Sequence, residues 1–347
     1  MRGLLRKVGL SLMALALAGA FVFHGAGVAN ADPTTVDGAR AQLAQLEQQQ
    51  SELDAQYTEV QVKLQDSQKA LDEARSDAAA QQTKVTTLKT QVSQIALQQY
   101  RSSGLDTTTQ LLVTDDVQSF LNGLSTIKKA NDNTASLLQD YQSAQADLAD
   151  LQRSTEAETQ QIAAQEASLA DLKKQSDDKV NAAQALLDKL TASQRQQLAA
   201  QQAAANQAAA ATVTSRSTDR TTTPIAVGPG GSARAIAALN FALAQVGKSY
   251  VRGGTGPNSY DCSGLTMTAY AQAGIGLPRT SQAQFGVGTP VSLSQLAPGD
   301  LVFYYSGISH VGIYIGNGMI VHAANPRSGV GTASVTSMPF MGGRRVA

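Results

Sequence analysis

From Ala39 to Ser103 the chain carries neither glycine nor proline, and its apolar residues return at alternating steps of three and four. Ala39, Leu43, Leu46, Leu53, Tyr57, Val60, Leu64, Leu71, Val85, Leu88, Val92 and Ile95 fall on this seam, with Gln50, Ser67 and Gln81 as polar members. Such spacing predicts a long helix burying one narrow stripe against another helix. The same chain supplies a partner. Leu137, Tyr141, Ala144, Leu148, Leu151, Ile162, Leu169, Leu172, Ala183, Leu186 and Leu190 repeat the period, with polar gaps at Thr155, Glu158 and Gln165. Gly104 and the stretch from Leu111 to Leu124 break the pattern between them, which predicts a helical hairpin with one or two short apolar-faced helices at its tip.

From about Gln201 the seam is lost. Residues turn Gln/Ala-rich, then Thr/Ser-rich, and end in Gly228-Pro229-Gly230-Gly231, which predicts a flexible linker over 201–232. Beyond it the periods mix. Ala233 to Val246 is apolar at helical spacing and closed by Gly247, and Asp261-Cys262-Ser263-Gly264 opens a second helical pattern. Leu301–Tyr305, His310–Gly316 and Met319–Ala323 then read as strands, the last two joined as a hairpin. The expected architecture is a long all-α coiled-coil hairpin over 32–200, the linker, and an α+β domain over 233–347.

Charge sharpens this division. The formal balance of zero splits into +3 for residues 1–31, −8 for 32–232 and +5 for 233–347, so an acidic middle precedes a basic end. A basic end suits an anionic polymer such as a bacterial wall. Its basic residues are scattered without an aromatic platform or recognition helix, which argues against nucleic acid. At the start, Arg2, Arg6 and Lys7 precede the apolar run Val8–Phe23, and Ala29 and Ala31 frame a cleavage site. Residues 1–31 therefore read as a signal peptide, and the expected location is secreted, in the extracellular or periplasmic space at the cell wall.

Export makes the single cysteine, Cys262, conspicuous, because oxidising compartments favour paired thiols or none. It stands at a predicted helix start, where unsatisfied amides and the helix dipole are expected to lower a thiol pKa. Downstream of the leader the chain has two histidines, His310 and His322, both in the predicted hairpin. A three-residue loop Gly316-Asn317-Gly318, or a bulge, would pair Gly312 with His322 and bring both imidazoles to one face; a plain two-residue turn would set them on opposite faces. Zinc held by Cys262, His310 and His322 is a weak alternative, lacking a close ligand pair and a fourth ligand. Gly253-Gly254-Thr255-Gly256 lacks the lysine and the strand-to-helix frame of a phosphate loop.

Together, Tyr250 with Gly253-Gly254, Asp261-Cys262-Ser263-Gly264, Pro278-Arg279, Pro298-Gly299-Asp300-Leu301, His310 to Gly316 and His322-Ala323 resemble the NlpC/P60 peptidoglycan hydrolases. The coil before them is similar to that of the RipC-like members of the actinobacterial Rip group. The resemblance implies a papain-like α+β fold and a cysteine D,L-endopeptidase needing no cofactor. Its substrate would be peptidoglycan, cut at the γ-D-glutamyl-meso-diaminopimelate bond during wall remodelling and daughter-cell separation. It further implies Cys262 as nucleophile, His310 as base and His322 as its orienting group. Tyr250, Asp261, Ser263 and Arg279 match substrate-cleft positions, while Arg252 stands where the family often has tryptophan. A non-catalytic wall-binding scaffold and an N-acyl amidase using the same pair are the alternatives. The opposite charges suggest that the coil restrains the catalytic domain, and the resemblance suggests release by a membrane regulator such as the FtsEX complex, acting at Leu111–Leu124.

Overall fold

The structure is a computed structural model that describes residues 35–102, 117–216 and 232–347. Helices α1 (Val36–Ser102) and α2 (Val117–Lys189) lie antiparallel along the seam, with Ala39, Leu71, Val85, Ala144, Leu172, Ala183, Leu186 and Leu190 buried. Two polar seam members, Ser67 and Gln81, are bonded across the pair. The Ser67 hydroxyl accepts from Gln161 at 2.8 Å and Gln165 at 3.3 Å, and Gln81 donates to the Ala144 carbonyl at 2.9 Å. Such layers fix register at some cost in stability. Leu111, Leu112 and Val113 lie outside the described residues, whereas 117–124 continue α2 without a separate short helix.

At Leu190 the chain turns. The Thr191 hydroxyl accepts from the Gln194 amide and the Gln194 side chain accepts from the Thr191 amide, a reciprocal cap that starts α3 (Ala192–Arg216). Residues 201–216 are therefore helical, not flexible linker as their composition suggested. Glutamine and alanine are strong helix formers, and α3 also has neighbours: it runs beside α1 and reaches the sheet of the C-terminal part. The rest of the expected linker, 217–231, lies outside the described residues.

The C-terminal part begins with α4 (Ala233–Leu243), capped by the Ser232 hydroxyl. Two short parallel strands, β1 (Ser249–Tyr250) and β2 (Ser259–Tyr260), flank the glycine-rich loop. They lead into α5 (Cys262–Gln272) and α6 (Ser281–Phe285). Then come β3 (Thr289–Val291), β4 (Leu301–Tyr304), β5 (His310–Gly316), β6 (Met319–Asn325), β7 (Gly329–Ser334) and β8 (Phe340–Arg345), ordered β3-β8-β4-β5-β6-β7 in one antiparallel sheet. This is the expected α+β class. Leu239, Leu265, Ala269 and Tyr270 pack with Leu301, Phe303, Val311, Ile313 and Val321 into the main core, and Val302, Tyr304, Tyr314, Ile320 and Val335 form a second cluster. Asp300 ties the sheet together, accepting from the Ala297 amide at 2.7 Å and from Arg345 through two nitrogens at 2.9 and 2.7 Å.

Two backbone details place the chemistry. Asn317 and Gly318 both have positive φ, 52° and 70°, so β5 and β6 join through a two-residue turn with Gly316 opposite Met319. Left alone, that register would part the histidines. An irregularity between Tyr314 and Gly316 shifts it by one residue, so that Ile313 faces Val321 and the two histidines meet. The second detail is Gly264. A Cβ there would fall 2.0 Å from the Gly254 carbonyl oxygen, so only glycine lets the loop lie against the first turn of α5. Gly264→Ala is expected to destabilise the C-terminal part by about 1–3 kcal/mol, in the range for overpacking, seen as a lowered thermal midpoint. An unchanged midpoint would mean that this close approach is dispensable.

Candidate active site

Asp261 starts α5. Its backbone is extended and its side chain accepts from the Gly264 amide at 2.7 Å, which puts Cys262 in the first turn. The same carboxylate is gripped by Arg279, which also donates to the Ser263 hydroxyl at 2.9 Å. Asp261 and Arg279, expected from the resemblance to meet charges on a substrate, are instead each other's counter-ions in this state. With Ser263 they brace the turn that carries the thiol.

The Cys262 sulfur lies 3.9 Å from the Ser309 carbonyl oxygen and is hydrogen-bonded by the Val311 amide. Those two backbone groups flank His310, so the root of that side chain lies beside the sulfur. His310 Nε2 and His322 Nδ1 are 2.7 Å apart, with the rings nearly perpendicular at 86°. Both imidazoles are buried, which lowers His322 to about 4; burial and the neighbouring ring lower His310 well below the ordinary 6.5. A neutral pair needs one proton between the facing nitrogens. If His310 donates from Nε2, its Nδ1 is an acceptor and can take a thiol proton. Zinc does not fit between these nitrogens, because tetrahedral bonds of about 2.0–2.1 Å set ligand nitrogens about 3.3 Å apart. Among the described residues, none group as three His, Cys, Asp or Glu around a metal position.

The NlpC/P60 family pattern matches residues 247–342. This C-terminal part of the chain belongs to the NlpC/P60 family. The probable endopeptidase Cgl2188 of Corynebacterium glutamicum is 46% identical over 104 residues, 30% of this chain and 50% of that protein. The probable endopeptidase Rv2190c of Mycobacterium tuberculosis is 47% identical over 97 residues, 28% of this chain and 25% of that protein. Among solved structures, Rv1477, a hypothetical invasion protein of Mycobacterium tuberculosis, is 30% identical over 34% of this chain and 69% of that one, with a TM-score of 0.30. The chain thus spans half or less of the length of these two curated relatives, and the matches take in about a third of this chain or less.

The coil covers the NlpC/P60 site. Asp54, Ala55 and Thr58 of α1 line a cavity with Tyr250, Cys262, Ser263, Thr280, Ser281 and Ser309, and only about 10 Å³ remains there. That is room for at most one water. Asp54 is the centre of the contact. Its carboxylate accepts from the Tyr250 hydroxyl at 2.8 Å and the Ser176 hydroxyl at 2.6 Å, and also from Gln50 and the Arg252 Nε. Arg252 reaches on to Asp177 at 2.5 Å, and a second ion pair joins Glu47 to Arg327 at 2.6 Å. Ser51 donates to the Ser309 carbonyl at 3.2 Å. Burial pushes the Asp54 and Glu47 carboxyls up even so.

Sequence inspection missed this row of coil residues, yet a signal existed. Glu47, Ser51, Asp54, Thr58 and Gln61 repeat the coil's own steps of four and three, one position off the apolar seam. An ordinary coiled coil leaves such a stripe in water.

One expectation is overturned. Burial and the Asp261 charge push the Cys262 thiol up to about 12, outweighing the opposing Val311 amide, Arg279 and Ser263 amide. A helix start therefore does not activate this thiol while the coil covers it. With the pKa that high, only about 10⁻⁵ of the thiol is ionised at pH 7. Alkylation of Cys262 in the full chain by iodoacetamide is expected to be slow and to rise about tenfold per pH unit from 7 to 9 without a plateau. A plateau within that range, in a chain whose coil stays docked, would refute the elevated thiol pKa.

Proposed function

We propose that this chain is a secreted cysteine endopeptidase that hydrolyses peptidoglycan stem peptides, held latent by its own coil. The reading rests on one observation above the rest: a lone thiol in the first turn of a buried helix, set over the backbone on either side of His310, whose far nitrogen is held by a second histidine. Membership of the NlpC/P60 family supports the reaction class, and the relatives named as probable endopeptidases support peptide bonds as the target.

Cys262 Sγ attacks the carbonyl carbon of the γ-D-glutamyl linkage as its proton passes to His310 Nδ1. Charge develops on the carbonyl oxygen, and the Cys262 amide, with the Tyr250 hydroxyl once it is free of Asp54, receives it in this reading. His310 returns the proton to the diaminopimelyl amine as the C–N bond breaks. Water, deprotonated by the same imidazole, then cleaves the thioester, releasing the glutamyl carboxylate and restoring the thiol. His322 holds His310 in the tautomer that leaves Nδ1 free. An imidazole dipole stabilises the transient imidazolium less than a carboxylate does, so His322 chiefly orients.

No stem peptide fits while Asp54 and Thr58 roof the thiol. Catalysis therefore requires the coil to leave, and a membrane-bound regulator engaging the coil is the proposed trigger. Breaking a buried ion pair by removing one partner costs about 3–5 kcal/mol. A full chain carrying Asp54→Asn and Asp177→Asn is thus expected to release muropeptide products at least tenfold faster than the unaltered chain, as read by mass spectrometry. Equal rates would remove the latch. In that released background, Cys262→Ala should abolish products, and His310→Ala should lower the rate by about 10²–10⁴. His322→Ala should lose less than His310→Ala. Products formed by the Cys262→Ala chain would overturn the assignment of the nucleophile.

A further inference from the structure

Arg252 is the strongest unassigned group near the site. Its side chain is 9% exposed, and both of its carboxylate partners, Asp54 and Asp177, belong to the coil. Its own domain offers no replacement. Residues 233–347 contain two acidic residues, Asp261 and Asp300, and these are committed to Arg279 and Arg345. When the coil departs, a guanidinium that was nearly dry and doubly paired is left without any anion in its own domain.

Where that guanidinium stands gives the vacancy a use. One carboxylate, that of Asp54, accepts at the same time from Arg252 Nε and from the Tyr250 hydroxyl. Tyr250 and Asp54 in turn line the small cavity over Cys262. The pair therefore has the spacing to hold a single carboxylate beside the sulfur. Charge-assisted bonds of this kind are the strong ones, and arginine suits a carboxylate in particular.

We propose that Arg252 and Tyr250 form a carboxylate-binding subsite for the substrate, which Asp54 fills in the closed state as a stand-in. The ligand class is a wall peptide with a free carboxylate next to the scissile bond. Two carboxylates qualify chemically: the α-carboxylate of a γ-linked glutamyl residue on the acyl side, and a carboxylate of diaminopimelate on the amine side. Arg252 thus serves two roles in succession, latch in the closed chain and specificity determinant in the open one. It touches the substrate at a distance from the bond cut, so its effect falls on KM more than on kcat. This inference rests on the peptidase reading for the identity of its ligand.

The test uses the full chain with Asp54→Asn and Asp177→Asn, so that the latch is already loosened, with and without Arg252→Gln. Three tetrapeptides are compared: both carboxylates free, glutamyl α-carboxamide, and diaminopimelyl carboxamide. With Arg252 present, kcat/KM is expected to fall about ten- to a hundredfold for one of the two amides, which identifies the carboxylate recognised. Arg252→Gln should abolish that discrimination by weakening the free acid, and Arg252→Lys should restore part of it. Binding of the free-acid tetrapeptide to the same chains carrying Cys262→Ala, measured by calorimetry, should weaken by a similar factor with Arg252→Gln. If that binding difference is present but no chain cleaves, the subsite stands and the peptidase reading falls. If Arg252→Gln alters neither discrimination nor binding, or if Arg252→Lys behaves no better than Arg252→Gln, the subsite is overturned.

Discussion

One carboxylate, Asp54, is the centre of the contact that ties the two halves of this molecule together. It is 5% exposed and accepts from four side chains, two in the coil and two in the NlpC/P60 domain. A buried charge so placed is costly to desolvate, and burial does push its carboxyl up. Full hydrogen bonding offsets that cost, and it gives the contact geometric selectivity that an apolar patch of equal area would lack. The same contact determines the state of the thiol. Cys262 is buried between its own domain's core and α1, and the loss of solvation outweighs the amides at the start of α5. The contact is thus electrostatic as well as steric: the thiol is covered, and it is also kept neutral.

The coil is suited to such a task because its interior is only partly apolar. Ser67, Gln81, Gln161 and Gln165 form polar layers between leucine and alanine contacts. Buried oxygens of Glu158 and Gln165 lack partners within the described residues. A seam of this composition holds register without great stability. A long lever with a soft seam can move at its base when force or a partner acts elsewhere, because the latch is a few polar bonds rather than a broad apolar interface.

Much of this was legible from residue patterns. The seam gave both long helices, since alternating steps of three and four have no other common solution, and the alternation after Leu301 gave the strands. Asp261 at a helix start was legible through its capping chemistry, and Cys262 through its solitude in a chain expected to be exported. The meeting of His310 with His322 was legible only as a condition. The turn residues Asn317-Gly318 favour two-residue closure, and the bulge that rescues the register has no sequence signature of its own. Residues 201–216 misled because glutamine and alanine are equally at home in a linker and a helix, and only packing against α1 and the sheet decides. The thiol pKa was misjudged for a related reason. Local sequence shows the helix dipole, whereas the dominant effect, burial, comes from packing of the domain core and from coil residues far away in the chain.

Arg252 shows how a departure from a family pattern acquires meaning from charge bookkeeping in three dimensions. In sequence it is an arginine at the edge of a glycine-rich loop, where the family often has tryptophan. In the structure its neighbours are acids of the coil alone, and the two acids of its own domain are already paired. A permanent guanidinium cannot shed its charge to escape such an imbalance, as lysine or histidine could. It must be solvated or matched in every state the protein visits. The closed state matches it with Asp54, and on the proposed reading a substrate carboxylate takes that place once the coil departs. On the proposed reading, coil and substrate compete for the same two donors. Wall peptides bearing the recognised carboxylate would thereby favour the open form by mass action, coupling substrate supply to release of the coil without any further site.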